Sequence, residues 1–449
     1  MRLKKKERHE MPDINEMPEE LSEKSLPDGF GKGFAAGVLA TLFTGAMFFA
    51  GWNAGQHMND PADVAEQETE NGAEILTDAE TLQKLDEVRS LIEEYYLNDV
   101  DADMLSDYLF KGIAVGLDDV YANYYSEEEL ESVLDSSRGS YTGIGATLAQ
   151  DGQSGTITVN DVYENTPASE AGLQVGDELL AIDDTALTDV QLSDLVSMIK
   201  SEDGDFLITV YRPSDKKEVI LPITLGDVEL QKVSYEMKQN GIGYIKIEEF
   251  TETAVDQFCE AAEALEAQDM QALIVDLRDN PGGLLTSVCD ILDEVLPEKL
   301  LVYTEDKNGE REEYYSDQSR IVDCEIAVLV NGGSASASEI FAGAMQDYER
   351  GPVIGTKTYG KGIVQRTFPL QDGSAFKMTV EKYYTPNGQD INGNGITPDI
   401  IVEDPEDNTG SGKTPESAGD GTDQVLEKAL DVLAEDLNAD REATAFMSK

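Results

Sequence analysis

Two short apolar runs, each ending at a glycine pair and each followed by a helix-forming stretch, constrain this chain more than any other feature. Residues 272–277 run into Arg-Asp-Asn-Pro-Gly-Gly, and residues 326–330 run into Asn-Gly-Gly-Ser-Ala-Ser-Ala-Ser-Glu. Neither run alternates polar with apolar residues. A strand without a polar face is covered on both sides, the pattern of a parallel sheet between helices. The neighbouring segments continue the order: a strand over Ile242–Ile247, then helices over 254–267, over 284–296 and from the serine-rich turn to about Tyr348. Strands and helices that take turns in this way predict an α/β core.

Upstream the spacing changes. Leu82, Leu85, Val88, Leu91, Ile92 and Tyr95 recur at three- and four-residue steps, which predicts a helix. A second helix is expected over Ala102–Gly116 and a third from Ser126, so 78–137 forms a helical region. From 138 to 226 the elements are short, with strands expected at 156–159, Glu178–Ile182 and 206–211 and a helix at 189–200. The core then spans 227–403. Residues 404–421, rich in Gly, Ser, Thr, Pro and acids, read as a linker. Residues 422–449 hold a C-terminal amphipathic helix, expected over 424–437.

The N-terminus carries a separate instruction. Residues 1–32 are polar and open with Arg2, Lys4, Lys5, Lys6 and Arg8, and residues 33–55 contain no charge. That run is about 20 residues, enough to cross a bilayer as one helix. Seven Lys or Arg precede it, and none follows until Lys84. The expectation is an uncleaved signal anchor with a cytoplasmic N-terminus and an extracytoplasmic remainder, joined by an acidic linker over 56–77. A cleaved signal peptide is the alternative. The net charge of −58 repels phosphate backbones and argues against a nucleic acid partner.

Two counts narrow the chemistry. The only histidines are His9 and His57, both in or beside the targeting region. A Ser-His-Asp triad and a His-based zinc site are therefore unavailable to the folded part, and no metal is expected. The cysteines are Cys259, Cys289 and Cys324, an odd number with no CxxC pair. Three buried thiols are expected, with one bridge as the alternative.

Four segments could carry chemistry. In NGGSASASE (331–339) a buried strand meets a helix start, which can expose Ser336 and aim backbone N–H groups at negative charge. The competing explanation is that Ser336 and Glu339 form only a capping box. In KTYGKGIVQ (357–365) Lys361 stands between two glycines, and a lysine serves as a base once burial or neighbouring positive charge lowers its pKa. In DLRDNPGG (276–283) a Pro-Gly-Gly turn could offer N–H groups to an oxyanion. In TGIGA (142–146), followed by TPASEAGLQVGDELLAID (166–183), a Gly-apolar-Gly loop before an edge strand can receive a peptide C-terminal carboxylate. Each segment also has an ordinary structural explanation as a cap, loop or turn.

Taken together, and with LDDVYANYY (117–125) and YYTPNGQDINGNGITPDI (383–400), these segments resemble the C-terminal processing, or tail-specific, serine peptidases over about residues 78–400. The resemblance implies a crotonase/ClpP-like α/β protease core of ββα units, with an inserted or preceding α+β PDZ domain, beside the N-terminal helical region and one transmembrane helix. It implies Ser336 as nucleophile, Lys361 as general base and Gln365 as support for the lysine. Gly283 and Ala337 match the oxyanion donors, Asp347 matches a supporting residue, and Gly143, Ile144, Gly145 and Ala146 match the loop that binds a peptide C-terminus. The partners implied are proteins or peptides with free C-termini and a second copy of the chain, with no cofactor. The rival from another class is an inactive PDZ adaptor. A trypsin-like PDZ protease is excluded by the missing histidine.

Overall fold

A computed structural model describes residues 72–317, 320–403 and 423–447, with side chains placed to Ala439. The expected cytoplasmic tail, the expected membrane run and the expected linker 404–421 lie outside the described residues. Among the described residues no helix is long and apolar enough to cross a membrane. The chain divides into two compact units. Ile144–Leu225 forms one, and the described residues up to Gly143 and from Gly226 onward form the other.

The larger unit begins with helices α1 (Ala79–Tyr95) and α2 (Ala102–Gly116). Aspartates cap both: Asp78 accepts the Thr81 N–H at 2.7 Å and Asp101 accepts the Met104 N–H at 3.0 Å. Strand β1 (Asn123–Tyr125) leads into α3 (Glu127–Arg138), whose Ser126–Glu129 capping box and left-handed Gly139 mark its two ends. Strand β2 (Ser140–Gly143) then leads out of the unit.

The smaller unit is an antiparallel sheet with one long helix. It holds β3 (Ala146–Gln150), β4 (Ile157–Val162), a helical turn at Pro167–Ala171, β5 (Glu178–Ile182) and β6 (Thr185–Ala186). Helix α4 (Leu192–Lys200) and strands β7 (Asp205–Arg212) and β8 (Lys217–Thr224) complete it. The strand order is β3-β4-β5-β7-β8, with β6 on β5. Leu195 and Ile199 of α4 are buried in one cluster with Ile157, Phe206 and Ile208. A buried ion pair ties the sheet to the loop before β5: Arg212 Nε and Nη2 donate to the Asp177 carboxylate at 2.8 and 2.7 Å.

Strand β9 (Gly226–Glu229) pairs with β2, so the chain re-enters the larger unit where it left it. There follow β10 (Val233–Met237), β11 (Ile242–Ile247), α5 (Glu252–Glu266), β12 (Ala272–Asp276) and α6 (Leu285–Asp293). Next come β13 (Leu300–Asp306), β14 (Arg311–Tyr315), β15 (Glu325–Val330), α7 (Ala337–Asp347) and β16 (Val353–Gly355). The last elements are β17 (Ile363–Pro369), β18 (Ala375–Tyr384), β19 (Ile400–Ile401) and α8 (Gln424–Met447).

The central sheet has the order β10-β11-β12-β15-β16-β19, parallel except for the β10–β11 pair. Successive residues on its strands serve opposite layers. Leu273, Val275, Ile326, Val328 and Val330 pack with the buried sides of α5, α6 and α7. Ala272, Ile274, Ala327 and Leu329 pack with Val425, Ala429 and Leu433 of α8. This explains the continuous apolar runs, since neither face of a strand meets water; each large apolar side chain so buried contributes about 1.5–3 kcal/mol. Helix α8 extends past the expected end at Leu437 to Met447. Residues 438–447 contain no Gly or Pro, and helix propensity carries the chain on after the apolar spacing fades.

The sequence pattern gave no warning of the second sheet. Strand β18 pairs with β17 along one edge and with β1 and then β13 along the other, all antiparallel, and β14 pairs with β13. Most residues of β17 and β18 are only half buried, so their apolar positions stand out less.

Candidate active site

The centre of the site is a buried carboxylate. Glu339, in the first turn of α7, is fully buried. Its Oε2 accepts the Ser336 N–H at 2.9 Å and the Lys361 N–H at 2.8 Å. Its Oε1 accepts the Thr358 hydroxyl at 2.6 Å and the Gly360 N–H at 2.7 Å. Four hydrogen bonds converge on this one side chain. The backbone of Ser336 and that of Lys361 are thus held within two hydrogen-bond lengths of each other. Of the expected capping box, the Glu339 carboxylate accepts the Ser336 N–H while the Glu339 N–H donates to the Ser336 C=O at 2.9 Å, and the same carboxylate ties in the lysine loop. The structural and the chemical explanations of these residues are one arrangement.

Ser336 has φ 55° and ψ −115°, a conformation that L residues avoid. Such strain persists only where the surroundings over-determine it, and it gathers at functional sites. Here the surroundings are two interlocked loops. Asn280 is buried; its C=O accepts the Ala335 N–H and the Ser338 hydroxyl, both at 3.0 Å. Asn331 Oδ1 accepts the Asp279 N–H, and its Nδ2 donates back to Asp279 Oδ1, both at 2.9 Å. The Pro-Gly-Gly turn therefore lies against the serine. A Cβ on Gly282 would stand 2.7 Å from Ser336 Cβ and 3.0 Å from the Ala337 nitrogen. Gly283 has φ 138°, and a Cβ there would strike the Phe250 carbonyl oxygen at 2.3 Å. Only glycine allows this approach. Gly282 thus lies against Ser336 and the Ala337 nitrogen, and Gly283 follows it against Phe250.

Lys361 is half buried between β17, β18 and the 117–125 segment. Burial lowers its pKa from the ordinary 10.5, and the Lys377 ammonium adds to this; Asp119 and Glu339 act in the opposite direction. This is the direction a general base requires. Its Nζ lies 4.4 Å from the centre of the Tyr121 ring. No hydrogen bond joins Lys361 Nζ to Ser336 Oγ among the described residues. Tyr383, which is buried, donates its hydroxyl to the Lys361 C=O and also faces Ser336. Burial pushes that phenol well above its ordinary 10.

The remaining expected residues fall in three places. Gln365 lies on β17 beside a register shift between Val364 and Gln365, and its amide donates to the Ile363 C=O at 3.3 Å. Asp347 closes the far end of α7, roughly 15 Å along the helix from Ser336. Its carboxylate accepts the Asn387 N–H at 2.7 Å, so it supports the 384–388 turn and not the serine directly. Gly143 ends β2, and Ile144, Gly145 and Ala146 open the smaller unit. There the Ile144 C=O accepts the Ala168 N–H at 2.7 Å and the Gly145 C=O accepts the Tyr163 N–H at 3.0 Å. Gly145 has φ 80°, and a Cβ on it would meet Thr166 at 2.3 Å. At the other end of β3, the Gln150 amide bridges to the start of α4, donating to Val190 C=O at 2.8 Å and accepting the Leu192 N–H at 3.0 Å.

Tyr121, Asp119 and Tyr383 also belong to the surroundings of Lys361. The spacing of LDDVYANYY carries no sign that it folds onto β18; Asp119 does this by accepting the Tyr121 N–H at 3.0 Å and the Thr379 N–H at 2.9 Å. The three cysteines are free. Cys289 is buried and the other two are half buried, and burial raises the thiols to about 12 for Cys289 and about 11 for Cys259 and Cys324. Among the described residues no group of three or more His, Cys, Asp or Glu could hold a metal ion.

Residues 241–402 match peptidase family S41 and residues 158–212 match the PDZ domain. The chain is 32% identical over 377 residues to the carboxy-terminal processing protease CtpB of Bacillus subtilis, covering 83% of this chain and 77% of that protein. It is 31% identical over 356 residues to CtpA of the same organism, covering 78% and 76%. The first match spans the two interlocked loops, Glu339 and Lys361. This chain is a member of peptidase family S41, a serine-type carboxyl-terminal processing protease that carries a PDZ domain.

Proposed function

We propose that the peptide bond is broken by Ser336, with Lys361 as base. The observation that carries this assignment is the Glu339 carboxylate, which accepts the backbone N–H of both residues on one oxygen. Neutral Lys361 takes the Ser336 proton as Oγ attacks the scissile carbonyl, and the Gly283 and Ala337 N–H groups receive the oxyanion. Lys361 then passes the proton to the leaving amine. A water, deprotonated by the same lysine, releases the acyl group. Tyr383 positions the lysine through its C=O. Gln365 reaches Lys361 once its side chain leaves the Ile363 carbonyl.

The substrates are proteins with free C-termini. The Gly143–Ala146 segment receives the terminal carboxylate, and the peptide lies as an added strand between β3 and α4. The protein is an uncleaved single-pass membrane protein with its catalytic part outside the cytoplasm, which the charge-free run 33–55 and its one-sided flanking charge support. It works as a homodimer. Support comes from α1, an amphipathic helix whose Leu82, Leu85, Val88 and Leu91 are all at least 43% exposed.

The test is cleavage of an unfolded polypeptide made with a free or an amidated apolar C-terminus. The free form is cut and the amidated form is cut about tenfold more slowly. Ser336→Ala and Lys361→Ala each lower turnover by ~10³-fold or more. Full turnover in either variant contradicts the assignment, and equal cutting of the two substrates contradicts carboxylate recognition.

A further inference from the structure

We infer that Tyr121 is a positioning residue that holds the Lys361 ammonium on its ring in the resting enzyme, away from Ser336. The inference rests on the Ser–Lys assignment above and adds a resting state to it.

The geometry is direct. Lys361 Nζ stands 4.4 Å from the Tyr121 ring centre, within the range in which a cation is attracted to the face of an aromatic ring. Tyr121 is held in place by two neighbours. Its own N–H is fixed to Asp119, which is in turn fixed to β18 through the Thr379 N–H. Its hydroxyl lies against that of Tyr359, on the loop that carries Lys361. The lysine makes no ion pair among the described residues, so the ring is its specific cation partner.

The charged and titratable groups around Lys361 come from every packed element. Asp119 and Tyr121 come from the 117–125 segment, Glu339 from α7, Lys377 and Tyr383 from β18, and Tyr359 from the lysine's own loop. Burial and Lys377 disfavour the ammonium, whereas Asp119, Glu339 and the ring favour it. A ring that binds only the charged form raises the pH at which the base becomes available. The ammonium gives its proton to water, the neutral amine loses its attraction to the ring, and the freed side chain can swing to accept the Ser336 Oγ proton. One aromatic residue thus sets both where the base rests and when it is released.

The experiment is the pH profile of kcat/KM for the full chain and for Tyr121→Phe, Tyr121→Leu and Tyr121→Trp, with Lys361→Ala alongside. Leucine keeps an apolar side chain and removes the ring face. The acidic limb should therefore move down by about 0.5–1.5 pH units in Y121L. In Y121F the limb stays in place whatever the plateau rate does, because the ring is retained. In Y121W it stays or moves up. A limb that does not move in Y121L, or that moves equally in Y121F, overturns the role of the ring. If Y121L does not fold, as judged by its melting curve, a Y121W limb that moves down overturns it equally. Wild-type activity in Lys361→Ala overturns the Ser–Lys assignment itself, so the two failures are separable.

Discussion

Strands β12 and β15 and helix α1 carry apolar residues in equally regular order, and they meet opposite fates. Every residue of β12 is buried, and so is all of β15 after Glu325, because α5 to α7 cover one face of the sheet and α8 covers the other. No residue of α1 is buried. Periodicity tells which face of an element is apolar; only the topology tells what covers it. A single helix of this length is marginal in water without tertiary packing. The core builds the site from parts that explain one another, while the lead-in helix keeps its apolar face exposed among the described residues.

That contrast orders the expected effects of substitution. The largest belongs to Glu339. Replacing it with Ala leaves three N–H groups and a hydroxyl without their acceptor in a buried site. The variant should lose about 3–5 kcal/mol in denaturant unfolding and most of its turnover. If Glu339→Ala unfolds like the parent, the carboxylate is not the hub of the site. Next is the clamp between α8 and the loop after β12. Arg278 donates to Asp423 twice, at 2.8 Å each, and also to the buried Asp276. Asp423→Ala should cost about 1–3 kcal/mol, measured in the same way.

Lys361 gives a smaller effect with a defined sign. Its folded pKa lies below the ordinary 10.5, so the unfolded chain binds more protons across that window. The contribution of this lysine to stability therefore rises with pH up to about 10.5 and is unfavourable below its folded pKa. Lys361→Met should raise the melting temperature at neutral pH, with the gain shrinking as the pH rises. A gain independent of pH would place the lysine in water. The smallest effect on folding belongs to α1. Leu85→Ala and Leu91→Ala should change unfolding by less than about 0.5 kcal/mol, since both side chains are exposed. They should weaken self-association in sedimentation, and a large loss of stability without a change of association would mean that α1 packs within its own chain.

How much was legible beforehand follows the same division. The strand at Ile242–Ile247, the helix at Ala102–Gly116 and the two glycine-ended turns stand where spacing predicts them, because local pattern and burial agree there. Ser336 and Lys361 were marked by resemblance, and the structure supplies their physical link in Glu339, whose capping role was visible and whose bonds to the lysine loop were not. A residue 22 positions away in sequence cannot be found from helix-cap rules. The sheet of β13, β14, β17 and β18 carries little sequence signal because β14 is mostly exposed and β17 and β18 are mostly half buried. Tyr121 was missed because what makes it part of the site is a contact across the sequence, fixed by Asp119 on β18. Asp347 was placed near the site by resemblance; it stands one helix length from the serine and holds the 384–388 turn.

Activation of Ser336 by Lys361 can be read by covalent capture. The full chain is treated with a fluorophosphonate, which bonds to an activated serine oxygen as fluoride leaves, and the modified peptide is identified by mass spectrometry across a pH series. A single adduct on Ser336 is expected, formed faster as the pH rises and lost in Lys361→Ala. An adduct on another residue, or labelling of Ser336 in Lys361→Ala at the parent rate, would contradict it.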